Sequence, residues 1–146
     1  MNKQNLIDVL HQKIEEKIKN LENLIAETRA SNNDTKSSMG DKYETGREML
    51  QQQINNLQVQ LNAVFQQREY LKGISLNPLQ KVEKGALVST EKGLFFISVS
   101  LGEIMLDTQK IMSISLESPL AKAMQGKSAN ESFVLNGINH TILTVE

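Results

Sequence analysis

Two observations predict an α+β chain built as an N-terminal antiparallel helical hairpin followed by a small antiparallel sheet domain with one short helix. In the first half, apolar residues recur three and four positions apart, the period of a helical seam. In the second half, short apolar runs alternate with small polar residues and are punctuated by glycine-containing turns, the grammar of short strands. The boundary is a change of composition near Gly73. Both prolines lie beyond it, and Ser, Val and Ile replace Gln, Asn and Glu there. The reading therefore divides the 146 residues into a hairpin over 1–73, with a tip loop near 31–41, and a sheet domain over 74–146.

The first arm rests on Ile7, Leu10, Ile14, Leu21 and Leu24, and the second on Leu50, Ile54, Leu57, Leu61, Val64 and Leu71. Lys17 and Arg68 interrupt the two runs. In an antiparallel pairing they lie at similar levels, and two facing cations predict a weakened, hinge-like base. The stretch from Ser31 to Gly40 is rich in Ser, Asn and Asp, whose side chains compete with helical hydrogen bonds, so it reads as the polar tip. Asp41 followed by Glu44 has the spacing of a capping box and restarts the second helix. Arms of about 28–30 residues at ~1.5 Å per residue extend roughly 42–45 Å. A two-helix projection of that length serves as a lever, spacer or probe, which makes its tip the place to look for function.

Strands are expected at 86–89, 93–99, 103–106, 111–115, 133–135 and 138–145, with Asn136-Gly137 as the strongest hairpin signal. Ser118-Pro119 places a capping hydroxyl and then a proline at the first helical position, and Gly126 closes the short helix that follows. About 70 residues is marginal for an independent core.

Composition excludes several functions. Sixteen basic against seventeen acidic residues cannot supply the phosphate contacts of a duplex-coating protein. The absence of Cys removes disulfides, thiolate zinc sites and thiol nucleophiles, and fits a reducing compartment. Two isolated His residues do not suggest a zinc or catalytic centre, and neither a phosphate-cradling glycine loop nor a Ser-His-Asp arrangement is present. The longest purely apolar run, Leu94 to Ile97, is far below the ~20 residues of a bilayer span. A soluble, cytoplasmic, non-enzymatic protein without a membrane partner is expected.

The hairpin followed by a β-rich domain carrying Ser118-Pro119-Leu120-Ala121-Lys122-Ala123-Met124-Gln125-Gly126-Lys127 resembles the GreA/GreB family of bacterial transcription elongation factors, in which this segment runs close to S-P-L-G-x-A-L-x-G-K. The resemblance covers nearly the whole chain and implies an FKBP-like C-terminal domain. It also implies a monomer that docks on RNA polymerase through Ser118, Pro119 and Leu120 and inserts its hairpin into the secondary channel. Nucleic acid would then be met only indirectly, inside the polymerase. In cleavage-stimulating members two tip carboxylates help hold a Mg²⁺ shared with the polymerase, and the factor has no cofactor of its own. Carboxylates suit that role because Mg²⁺ takes one or two of them alongside waters and phosphate oxygens.

The tip departs from the family's D-x-x-E-N-x-E-Y. Aligned on Tyr43 without gaps, Lys36 and Met39 fall at the acidic positions and Lys42 at the last Glu. With a gap, Asp34 and Asp41 become the metal-ligand candidates. Lys36, Met39, Lys42 and Arg47 become the tip contacts, through phosphate pairing for the cations and an exposed apolar side chain for Met39. Each has an ordinary alternative, since Asp in such a loop also forms turns and caps and lysines also solvate a helix end. The tip thus supports either transcript cleavage or a non-hydrolytic effect on pausing. Two other functions compete: a prolyl isomerase or chaperone on the FKBP-like fold, for which only Phe95, Phe96 and Phe133 are available as pocket aromatics, and a homodimerising coiled-coil adaptor.

Overall fold

The computed structural model describes residues 2–36 and 44–146. Two long helices, α1 (Lys3–Lys36) and α2 (Glu44–Lys72), precede strands β1 (Leu87–Thr90), β2 (Gly93–Ser98), β3 (Gly102–Leu106) and β4 (Gln109–Ser115), a short helix α3 (Pro119–Met124), and strands β5 (Ser132–Leu135) and β6 (Ile138–Val145). The α+β architecture is the one expected. The chain forms two compact units, one of Met1–Gln12 with Glu69–Glu146 and one of Lys13–Arg68.

In the Lys13–Arg68 unit the seam differs in phase from the expected one. Ile14, Ile18, Leu21, Ile25 and Thr28 are buried, whereas Leu24 is 46% exposed and Lys17 faces solvent. A seam averaging 3.5 residues must alternate steps of four and three. From Ile14 the path therefore runs 18, 21, 25 and 28, and it bypasses both Lys17 and Leu24. The Thr28 hydroxyl is satisfied inside the helix by donating to the Leu24 carbonyl at 2.7 Å.

On α2, Ile54, Leu61 and Val64 are buried as expected, and Arg68 occupies the next seam position. Its Nη1 meets Glu15 Oε1 at 3.3 Å, and its guanidinium lies 5.0 Å from the centroid of Phe65. The facing pair of cations expected at the base is therefore replaced by a cation opposite a carboxylate. This contact, with Leu21 and Val64 sharing one groove, sets the two arms antiparallel within one chain. The expected tip also begins later, because Ser31–Lys36 remain helical.

In the other unit, Asn2 caps α1 by accepting from the Gln4 amide at 2.9 Å. The sheet order is β3-β4-β2-β1-β6-β5. Four pairings are antiparallel, but β2 and β4 run parallel, so the expected all-antiparallel sheet is corrected to a mixed one. The cause is the link Val99-Ser100-Leu101, which carries the chain past the end of β4 so that β3 becomes the edge strand and β4 returns between β3 and β2. At that crossing the Ser98 and Ser113 hydroxyls lie 2.8 Å apart, and Ser113 also donates to the Val99 carbonyl, so the buried polar atoms there satisfy one another.

The β3–β4 turn holds Asp107 and Thr108 at φ 50° and 69°, and the β5–β6 turn holds Asn136 and Gly137 at 53° and 75°. These are the left-handed pairs of a tight hairpin turn. One face of the sheet packs on α3 through Val82, Ala86, Val88, Ile97, Ala121, Met124, Phe133 and Ile142. On the other face Leu87, Phe96, Ile104 and Ile111 are buried, as are Leu6, Leu10, Leu71 and Ile74 from the helical parts of the same unit and the segment after α2. Gly85 is required where it stands. Its φ is 89°, and a Cβ there would meet Ile74 Cγ2 at 3.1 Å.

Candidate functional site

The α3 segment is the best-formed of the expected sites. Ser118 has extended backbone dihedrals, and its hydroxyl accepts from the Ala121 amide at 3.2 Å, the N-cap geometry expected of Ser-Pro at a helix start. Its own amide donates to the Ser115 carbonyl, which ties the helix start to the end of β4. Ala121 and Met124 point into the core, while Pro119 and Lys122 are exposed and Leu120 is half-buried against the core cluster. Ser118 therefore holds the helix in place, and the groups available to a partner are Pro119, the outer edge of Leu120 and Lys122.

Sequence reasoning missed a contact elsewhere in the same unit. Lys84 Nζ lies 4.3 Å from the centroid of the Tyr70 ring, a cation–π contact on a 36% exposed tyrosine. Burial, and then the Glu117 carboxylate, push the Tyr70 hydroxyl above its ordinary pKa. Segment 81–84 is fastened beside the end of α3 by Val82, whose amide donates to the Lys127 carbonyl and whose carbonyl accepts from the Gly126 amide. No local sequence signal joins Tyr70 to Lys84, which lie 14 positions apart and meet only in the fold.

The expected tip residues stand differently. Asp34 and Lys36 belong to the last turn of α1, and Arg47 is half-buried on α2. Met39, Asp41 and Lys42, together with the side-chain surroundings of Asp34 and Lys36, lie outside the described residues. The Asp41–Glu44 capping box does as well. Among the described residues no three His, Asp or Glu side chains come together to hold a metal, and no helix is long and apolar enough to cross a membrane.

Two grooves lie elsewhere among the described residues. One, of about 360 Å³, is lined by Asn2, Lys3, Gln4, Leu76, Pro78, Val145 and Glu146. Lys3 is 7% exposed and donates to the Asn77 carbonyl at 3.1 Å. Burial draws its ammonium below the ordinary value of 10.5, against the raising influence of Glu146 and Glu83. The other groove, of about 400 Å³, runs along the hairpin between Lys17, Asn20 and Leu21 on α1 and Gln60, Ala63, Val64 and Gln67 on α2.

No family model and no curated protein matches the chain. Among solved structures, it is similar to the transcription factor Gfh1, with 14% identity over 92% of both chains and a TM-score of 0.37. It is likewise similar to the GreA factor homolog 1 (Gfh1) protein of Thermus thermophilus, with 15% identity over 92% of this chain and 93% of that one and a TM-score of 0.38. Thermus aquaticus Gfh1 gives 13% identity over 93% of each chain and a TM-score of 0.36. Likenesses this distant do not assign the chain to a family.

Proposed function

We propose that this protein is a Gre-type transcription regulator that binds RNA polymerase through its sheet unit and inserts its hairpin into the secondary channel, acting by binding and without an active site of its own. The observation that carries this reading is the Ser118 to Lys127 segment. Its resemblance to the GreA/GreB signature coincides with a capped helix whose exposed positions are Pro119 and Lys122. The pairing of two long helices within one chain supports the reading, since a probe must close its own seam.

Of the two tip roles, we favour modulation of pausing or nucleotide addition. Asp34 and Asp41 retain carboxylates but not the family's spacing, and Lys36, Lys42 and Arg47 lie within a few positions of them in sequence. Cleavage would instead require the two carboxylates to act as ligands to a Mg²⁺ shared with the polymerase. A prolyl isomerase is less well supported, because Phe96 is fully buried and Phe133 is stacked on His140 at 5.0 Å between ring centroids.

The test is a stalled elongation complex of the cognate polymerase, assayed for binding, pause escape and transcript cleavage with the wild type and with Asp34→Ala plus Asp41→Ala. Binding with altered pausing and unchanged cleavage is expected. Cleavage stimulated by the wild type and abolished in the double variant would assign the carboxylates to metal, and absence of binding would sink the reading altogether.

A further inference from the structure

Lys3 is a buried base that the proposed function does not use. It stands in the first turn of α1, is 7% exposed, and forms no ion pair with a carboxylate among the described residues. Its Nζ donates instead to the Asn77 carbonyl at 3.1 Å. Asn77 lies between Leu76 and Pro78, and both of these line the groove of about 360 Å³ that Lys3 also lines. The bond therefore holds the nitrogen at the groove wall. Val145 completes the apolar part of that wall, and Leu76 is 45% exposed, so the wall is open to an incoming molecule. A groove of this volume has the size of a small-molecule site.

A buried amine beside an apolar wall is the setting in which lysine acts as a nucleophile, because burial disfavours the ammonium and leaves more of the neutral form with its lone pair. Burial does lower the pKa of Lys3, while Glu146 and Glu83 act in the opposite direction by surrounding it with negative potential. That potential repels phosphates and carboxylates, so the molecule that suits this amine is an uncharged electrophile. We propose that Lys3 captures small neutral aldehydes as a covalent imine, with the apolar body of the aldehyde lying against Leu76, Pro78 and Val145. The neutral Nζ adds to the carbonyl carbon to give a carbinolamine. The former carbonyl oxygen then leaves as water with both nitrogen protons, and a C=N bond remains, with no external oxidant or reductant consumed. Once protonated, the imine again has an N–H for the Asn77 carbonyl. The site lies in the sheet unit and does not depend on polymerase binding.

The experiment incubates the full chain at neutral pH with butanal and cyanoborohydride, which reduces each imine to a stable butyl amine. Peptide mass spectrometry then follows the label on every lysine with time, and fragmentation separates Lys3 from the α-amine of Met1. Lys3 is expected to react at least about tenfold faster than the exposed Lys92 and Lys110, the factor that one unit of lowered pKa supplies. The preference should disappear in urea, and glyoxylate, an aldehyde bearing a carboxylate, should show less of it. Leu76→Asn, at an exposed position, should lower the Lys3 rate severalfold without changing that of Lys92, with circular dichroism verifying the fold. A Lys3 rate no higher than those of Lys92 and Lys110 overturns the proposal. So does a preference that survives in urea, since it would then owe nothing to the groove, or one that is equal for glyoxylate and indifferent to Leu76→Asn.

Discussion

Thr108 is the residue whose backbone and side chain disagree most plainly. A β-branched residue at φ 69° sits where a tight turn favours glycine. Relief of about 1–2 kcal/mol of left-handed strain, offset by the roughly 0.4–1 kcal/mol that glycine's extra unfolded-state freedom costs, predicts that Thr108→Gly stabilises the protein by up to about 1.5 kcal/mol in urea denaturation. Ser118→Ala is expected to act in the opposite direction, destabilising by about 1 kcal/mol through loss of the α3 cap.

Titration distinguishes two further residues. Glu91 Oε2 accepts from the Thr141 amide at 2.8 Å, and this bond is the main reason its carboxyl lies below its ordinary value of 4.5. A carboxyl depressed on folding contributes stability above its unfolded pKa and loses it as pH falls through the folded value, so Glu91→Gln should flatten the acid arm of the stability profile. Lys3 gives a slope of the same sign in the alkaline range, because its pKa is likewise lowered on folding. Burial lowers its folded pKa below 10.5, so the unfolded state binds more protons between the two values and stability rises with pH across that alkaline window. Lys3→Met should abolish that rise, as read by denaturation at a series of alkaline pH values.

Among the elements, α2 carries the clearest conflict between pattern and chemistry. Its seam steps regularly from Ile54 to Leu71, yet Arg68 occupies one position, with Nε buried and without a hydrogen-bond partner and Nη1 on Glu15. A partly exposed pair of this kind contributes little net stability, and a charged seam residue is tolerated where it selects register. Arg68→Leu should therefore raise hairpin stability by on the order of 1 kcal/mol while weakening the preference for intramolecular pairing. Denaturation and sedimentation of the same sample measure the two effects separately. The strands were more legible than the seam: all six lie within two residues of their expected limits, because period-two alternation and the Asn136-Gly137 turn are local signals. The seam misled at Leu24 and Lys17 because a step of three or of four from Leu21 is locally acceptable, and only the opposing arm selects Ile25.

For the whole molecule, the central expectation concerns closure of the hairpin. Glu15 and Arg68 meet within one chain, so sedimentation should return a monomer, and a dimer that dissociates on dilution would favour the adaptor reading instead. The candidate site divides in a similar way. Ser118-Pro119-Leu120 was legible because capping is local chemistry, whereas the contact of Tyr70 with Lys84 was not, since the two lie 14 positions apart and meet only in the fold.

The sequence by itself determined the kind and order of the elements, the capped α3 and the hairpin turns, since helical and strand periods and turn propensities act over a few residues. Tertiary structure decided what depends on distant partners. It inserted β4 parallel to β2 behind the Val99–Leu101 link, chose Ile18 and Ile25 for the seam, buried Lys3 against Asn77, and fastened Val82 to the end of α3. In each case several local choices were acceptable, and burial of apolar surface and the pairing of buried polar groups across the fold selected one.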